Sequence, residues 1–307
     1  MQSLWMLFAS FMFAVMGVCV KLASVEFSTS ELVLYRGVVG VMTLATLIKM
    51  QGGSFRTSMP GAHLWRGVIG VISLWLWYYS IGELPLATAM TLNYMSPIWI
   101  AAWLFAMGWW HAKGDVKWPL MLAVGCSFIG VTLLLRPAFD ANLLTPALIA
   151  LGSSMITAMA YMQVRKLGLA GEPENRVVFY FTVMNLLAGI VGVLITGGSE
   201  GPAWHPITSW RSGLLLLAIG VCATSAQIAM TRAYRLGNTL VVANLQYTGI
   251  VFSSVWGVLV FGDVFDWHSW AGIAIILASG MAATFYNTRN TERGKAIANT
   301  DPIASEV

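Results

Sequence analysis

From Leu86 to Trp110 the chain carries no charged side chain. A hydrocarbon layer about 30 Å thick is crossed by roughly 20 apolar helical residues, and blocks of that size recur from the first residues to about Tyr286. Over 307 residues 58% are hydrophobic and 10% charged, with a mean hydropathy of +0.74, too little polar surface to face water. Backbone amides find no water partner in lipid, so a spanning segment must be a helix or a strand of a closed barrel. Barrel strands are shorter and alternate in polarity. The chain is therefore expected to be an all-α polytopic membrane protein.

Ten spans are predicted, near residues 3–23, 31–50, 65–82, 86–109, 118–135, 144–165, 176–196, 211–233, 239–262 and 267–287. Ser28 and Glu31 have the spacing of a capping box that opens the second span, and Pro85 suits the first turn of the fourth. Little chain remains for a soluble domain, and residues 289–307 read as a polar tail. The first span lacks a basic leader and a small-residue cleavage site, so it reads as a retained helix.

An even number of spans puts both termini on one side. Of 17 Lys and Arg, thirteen fall on segments of that side, Lys21, Arg136 and Arg211 on the other, and Arg36 inside a span. The asymmetry predicts cytoplasmic termini, and the pI of about 9.0 calls for no nucleic-acid partner. Cys19, Cys126 and Cys222 fall within spans and make no disulfide framework. Most tryptophans, among them Trp5, Trp65, Trp109, Trp110, Trp118, Trp210, Trp267 and Trp270, fall at span ends, where indole sits between lipid and water.

The chain repeats itself. A shift of 153 residues lays LNYMSPIWIAAW, Leu92 to Trp103, on LQYTGIVFSSVW, Leu245 to Trp256, pairing Asn93 with Gln246 and Tyr94 with Tyr247. Between the first and sixth spans the best shift is 144, pairing Ala14 with Ala158 and Lys21 with Arg165. Two five-helix halves follow, 1–137 and 138–288, and an odd-numbered unit in tandem must enter the membrane from opposite sides in its two copies. Inverted repeats of this kind place a substrate site near the midplane where the halves meet.

Few polar groups lie deep in the spans. Asn93 and Pro97 share a helical face with Tyr94 beside them, and Gln246 and Tyr247 are their counterparts; they line a cavity or serve as hydrogen-bonding glue between helices. Trp75, Tyr78 and Tyr79 are predicted on one face of the third span, with Trp77 toward lipid. Tyr161 and Gln227 are further candidates, and Gly249, Ser253 and Gly257 read as a packing stripe. Arg36 sits inside the second span at a cost of at least roughly 2.5–3.5 kcal/mol; it snorkels outward, clamps helices or attracts a carboxylate, and Lys21 has the same readings. All 13 acidic residues lie outside the deep parts of the spans, so no buried carboxylate relay is expected. The four histidines sit at loops or span ends, and HExxH and phosphate-loop patterns are absent. No metal, cofactor or enzymatic chemistry is expected.

The two five-helix halves, Lys21 ending the first span, Arg36 in the second and Pro97 after a small residue in the fourth resemble the drug/metabolite transporter superfamily, specifically its ten-helix EamA-type exporters. The second half departs from that pattern, with Ile250 where a proline would stand and Tyr180 or Phe181 near the place of Arg36. Within the superfamily the chain is most similar to bacterial inner-membrane exporters of aromatic amino acids. The resemblance implies an exporter of an amino acid or related metabolite, and the inverted repeat points to alternating access. Its expected partners are that small molecule and membrane lipid; the sequence does not set the number of subunits, a monomer being the simplest reading. An organic-cation or multidrug exporter, a nucleotide-cofactor carrier and a membrane enzyme or receptor are the alternatives.

Overall fold

The computed structural model describes residues 2–100, 141–196, 204–237, 239–264 and 266–275, with scattered positions among 102–133 and 277–285. Apart from such positions, the predicted fifth span lies outside the described residues, as do Trp109, Trp110, Trp118 and the tail. Every regular element described is helical: α1 Trp5–Ala23, α2 Thr29–Met50, α3 Pro60–Glu83, α4 Leu86–Asn93, α5 Ala141–Leu169, α6 Glu174–Thr196, α7 Trp210–Leu236, α8 Thr239–Gln246 and α9 Thr248–Trp256. Of these, α1, α2, α5, α6 and α7 are long and apolar enough to cross a membrane. Trp5, Trp65, Trp210, Trp267 and Trp270 are exposed at helix ends.

The helix ends follow local chemistry. At α2 the Ser28 hydroxyl accepts from the Glu31 N–H while the Glu31 carboxylate accepts from the Ser28 N–H at 2.8 Å, which satisfies two amides that no helical carbonyl reaches. Lys21, in the last turn of α1, donates from Nζ to the carbonyls of Gly82 and Leu84, both at 2.7 Å. These carbonyls lie past the end of the α3 ladder, so Lys21 is a brace between α1 and the α3–α4 turn.

The helices pair crosswise between the halves: α1 packs on α7, α5 on α3, and α2 on α6. Exchanging the halves turns the first of these contacts into the second and leaves the third in place, so α2 and α6 cross on the pseudo-two-fold axis. Glycines make that crossing. A Cβ on Gly37 would stand 2.6 Å from the Leu186 backbone, and one on Gly189 would stand 2.5 Å from Leu34. Gly40 lies in the same way under Thr182, and Gly192 against Ser30.

Each half thus contributes equivalent residues at one offset (189 − 37 and 186 − 34 both give 152). The stretches SELVLYRGVVG, Ser30 to Gly40, and TVMNLLAGIVG, Thr182 to Gly192, are one motif seen twice. This register puts Ala188 opposite Arg36 and corrects the expectation of Tyr180 or Phe181 there. The offset of 144 fails beyond the first helices because α6 begins at Glu174, eight residues before Thr182, whereas α2 begins at Thr29, one residue before Ser30.

The fourth and ninth predicted spans are broken, not continuous. The helix stops at Asn93, turns through Tyr94 and Met95 and resumes at Ser96; its counterpart stops at Gln246, turns at Tyr247 and resumes at Thr248. In the first half Pro97 has no N–H to return to the Asn93 carbonyl, and the Met95 N–H bonds back only three residues, to Leu92 at 3.2 Å. The second half lacks the proline yet breaks in the same place. There the Thr248 hydroxyl takes the Leu245 carbonyl at 2.7 Å and Ser10 reaches the Gln246 carbonyl at 3.5 Å, side chains doing what the proline does opposite.

On α3 the inward stripe is Leu74, Trp77, Tyr78 and Ile81, spaced i, i+3, i+4, i+7. Trp77 is 6% exposed and Tyr79 39%, the reverse of the expected orientation. Trp75 also turns away, toward Gly192 on α6. Tyr78 faces inward as expected, but one helical residue is a rotation of about 100°, so choosing the neighbouring ridge misplaced Trp75, Trp77 and Tyr79 around it.

Candidate functional site: a central cavity with two buried arginines

A cavity opens where six helices of both halves meet. The break in α4 delivers Asn93 and Tyr94 to its wall, α5 contributes Thr157 and Tyr161, and α7 contributes Gln227. Asn93 is held from behind: its Oδ1 accepts from Thr157 at 3.4 Å, and Thr157 in turn hydrogen-bonds Ser73 of α3. The Tyr94 ring lies against Gly249 of α9, where a Cβ would collide with it. The expected packing stripe on α9 therefore receives an aromatic ring from the opposite half.

Gln246 is buried just off the cavity wall. Its Nε2 donates to Ser96 at 3.2 Å and to the Tyr161 hydroxyl at 3.5 Å, and its Oε1 accepts from Tyr234 at 3.3 Å. One amide thus ties the second broken helix to the first, to α5 and to α7. Tyr78, Pro97 and Tyr247 are likewise buried without facing the cavity. Of the residues singled out in the sequence, the structure brings Asn93, Tyr94, Tyr161 and Gln227 together around one space.

Arg36 was singled out in the sequence as a candidate carboxylate partner, but the cavity's other charge was not foreseen. Arg66, counted in the sequence among the basic residues at span ends, is 3% exposed and stands on the cavity wall. Its guanidinium folds back along α3 over Gly70, where a Cβ would strike it, and lies 4.0 Å above the Phe181 ring of α6. Arg36 does not snorkel outward: it is 1% exposed, with its guanidinium 5.5 Å from the same Phe181 ring and 5.8 Å from Tyr78. Ring faces attract both cations, but the Nε and Nη1 of each arginine find no hydrogen-bond partner among the described residues. The recoverable signal is the Arg66-x-x-x-Gly70 spacing within a span, which lets a long side chain lie along its own helix.

Each end of the bundle carries a polar tie between the halves. On the face that holds the N-terminus, Glu172, just before α6, accepts from Thr57 at 2.5 Å and from Arg176 at 2.9 Å. His63, in the first turn of α3, places Nε2 3.5 Å from the same carboxylate and its ring against Tyr180. On the far face Glu31, at the start of α2, accepts from the His205 N–H at 2.6 Å and contacts its Nδ1 at 2.9 Å; His205 lies just before α7. Start of second helix to start of third helix, across the halves, describes both ties. They are counterparts under the inverted repeat.

Burial pushes the Glu172 carboxyl up, but hydrogen bonds from Thr57 and Arg176 and the Arg176 charge outweigh it and hold the group below its usual range. A depressed folded pKa adds stability that is complete above the unfolded value of about 4.3 and is lost as pH falls through the folded one. Glu172→Gln is therefore expected to melt below the wild type in detergent at pH 7, with the gap closing as pH falls below about 4.3. A gap constant down to acid pH would mean that the ionised carboxylate contributes nothing.

A lipid-embedded chain of two inverted halves around a central cavity has the construction of a secondary transporter, and comparison with known proteins agrees. Residues 1–136 and 144–285 match the EamA-like transporter family, and the chain belongs to that family. It is 30% identical to the pseudopaline exporter of Pseudomonas aeruginosa over 89% of this chain and 92% of that protein. It is 28% identical to the riboflavin transporter of Vibrio cholerae over 96% of this chain and 97% of that one. A crystal structure 16% identical in sequence superposes with a TM-score of 0.70 over 92% of this chain and 98% of the other, a likeness of fold.

Proposed function

We propose that this multi-pass transporter exports small metabolites with a flat apolar body and a small polar head, aromatic amino acids first among them, from the cytoplasm across a bacterial inner membrane by alternating access. One observation carries the reading: a cavity walled by aromatic rings and amides lies between equivalent His–Glu ties that join the halves, one at each face. To open one face, the halves must part at that tie while the other holds. The positive-inside count supports cytoplasmic termini, which makes the His63–Glu172 face the loading side. The relatives named as carriers of pseudopaline and riboflavin support a metabolite as cargo.

The purified protein in liposomes is expected to move labelled phenylalanine and tryptophan saturably and a quaternary ammonium ion poorly. In a background without Cys19, Cys126 and Cys222, cysteine pairs at positions 63 and 172, or 31 and 205, should each block flux when oxidised and restore it when reduced. Saturable flux of the quaternary cation alone would replace the amino-acid assignment with a multidrug one. Flux that ignores both cross-links would remove alternating access between the halves.

A further inference from the structure

The geometry points to an anion subsite in the cavity, in which Arg66 binds a carboxylate of the cargo and Arg36, on the other guanidinium contact of Phe181, adds a second positive charge. This rests on the transport reading for the cavity's role and moves the preferred cargo from the zwitterionic amino acid toward an aromatic carboxylate. Among the described residues neither arginine makes an ion pair, whereas the buried acids Glu31 and Glu172 are held at the two faces by other partners. Both side chains are buried with two guanidinium nitrogens unpartnered, and Arg66 presents its planar donors to the cavity itself, a fork that matches a carboxylate.

The equivalent of Arg36 at the α2–α6 crossing is Ala188, and the same glycine contacts form there without a cation. Two buried positive charges are best matched by cargo of net negative charge. A zwitterion brings a carboxylate but also an ammonium that the arginines repel, and an organic cation brings only the repulsion. The cargo class is accordingly a carboxylate on an aromatic or otherwise flat body, with its rings against Phe181, Trp77 and Tyr94.

Three molecules with one skeleton test this: 3-phenylpropionate, phenylalanine and phenethylamine, titrated calorimetrically against the full-length protein in detergent. Affinity should fall in that order, with the anion bound at least about ten-fold more tightly than the amine, as expected for a charged hydrogen bond made or lost. Arg66→Gln should weaken 3-phenylpropionate about ten-fold or more and leave phenethylamine unweakened, and Arg66→Lys should keep part of the anion preference. Gly70→Ala displaces the guanidinium without changing the charge count and should also lower anion affinity, so it decides the matter if Arg66→Gln does not fold. Equal affinity for the three molecules, or an unchanged order in both the Gln and Ala variants, would overturn the subsite. Saturable phenylalanine flux with no anion preference would overturn it while leaving the transporter intact, and anion preference without flux of any of the three would uphold the subsite and defeat the transport reading.

Discussion

Gly37→Val and Gly189→Val should each leave little folded protein. The added Cβ would stand 2.6 Å from Leu186 in the first case and 2.5 Å from Leu34 in the second, in both against backbone atoms. Backbone cannot rotate aside as the end of a flexible side chain can. Relief requires α2 and α6 to separate on the pseudo-two-fold axis, which also opens the contacts of Gly40 with Thr182 and of Gly192 with Ser30. Overpacking costs typically about 1–3 kcal/mol, occasionally more, and these sites belong at the upper end. Gly152→Ala in α5 is the control: nothing lies within 4 Å of its added Cβ, so better helix propensity should leave stability unchanged or raised by up to about 1 kcal/mol. Size-exclusion profiles and thermal melts in detergent check the contrast. Valine variants that melt with the wild type would mean that the two halves do not cross at these glycines.

Gln246→Leu and Asn93→Leu should separate stability from transport. Leucine at 246 leaves Ser96, Tyr161 and Tyr234 without the amide that joins them. Hydrogen bonds between membrane helices average about 0.6 kcal/mol and reach about 1.7, so losing three should cost on the order of 2–3 kcal/mol and lower the melting temperature clearly. Among the described residues Asn93 makes one long side-chain contact, with Thr157 at 3.4 Å, and it faces the cavity. Its leucine variant should melt close to the wild type and lose most of its flux. The reverse result, a cold-melting Asn93→Leu and a stable but inactive Gln246→Leu, would exchange the roles of the two amides.

The overlay of Leu92 to Trp103 on Leu245 to Trp256 is one place where a pattern in the residues carried through to the structure, since both helices break at the paired tyrosines. The break itself was not legible. Pro97 announces one, but at Tyr247 the only local mark is the Thr248 hydroxyl that takes the Leu245 carbonyl, and Ser10 reaches the next carbonyl from 236 residues away. The glycine motif of α2 and α6 was present in the sequence, but carrying the first-helix shift of 144 into the second helices concealed it. The orientation of α3 was lost for another reason: an aromatic residue is equally at home against lipid and inside the bundle, so hydrophobicity alone does not say which ridge faces in.

What the sequence determined by itself was membrane insertion, the helical class, the duplication and the capped entry of α2. These depend on local hydropathy, on residue spacing and on neighbours a few positions apart. Only the tertiary structure decided which polar groups share a space. Asn93 and Gln246, equivalent in sequence, part company because Asn93 faces the cavity and Gln246 meets three buried partners. Arg66, which a charge count sends to the membrane surface, turns inward because Gly70 leaves room beside it and Phe181, more than a hundred residues away, offers it a ring face.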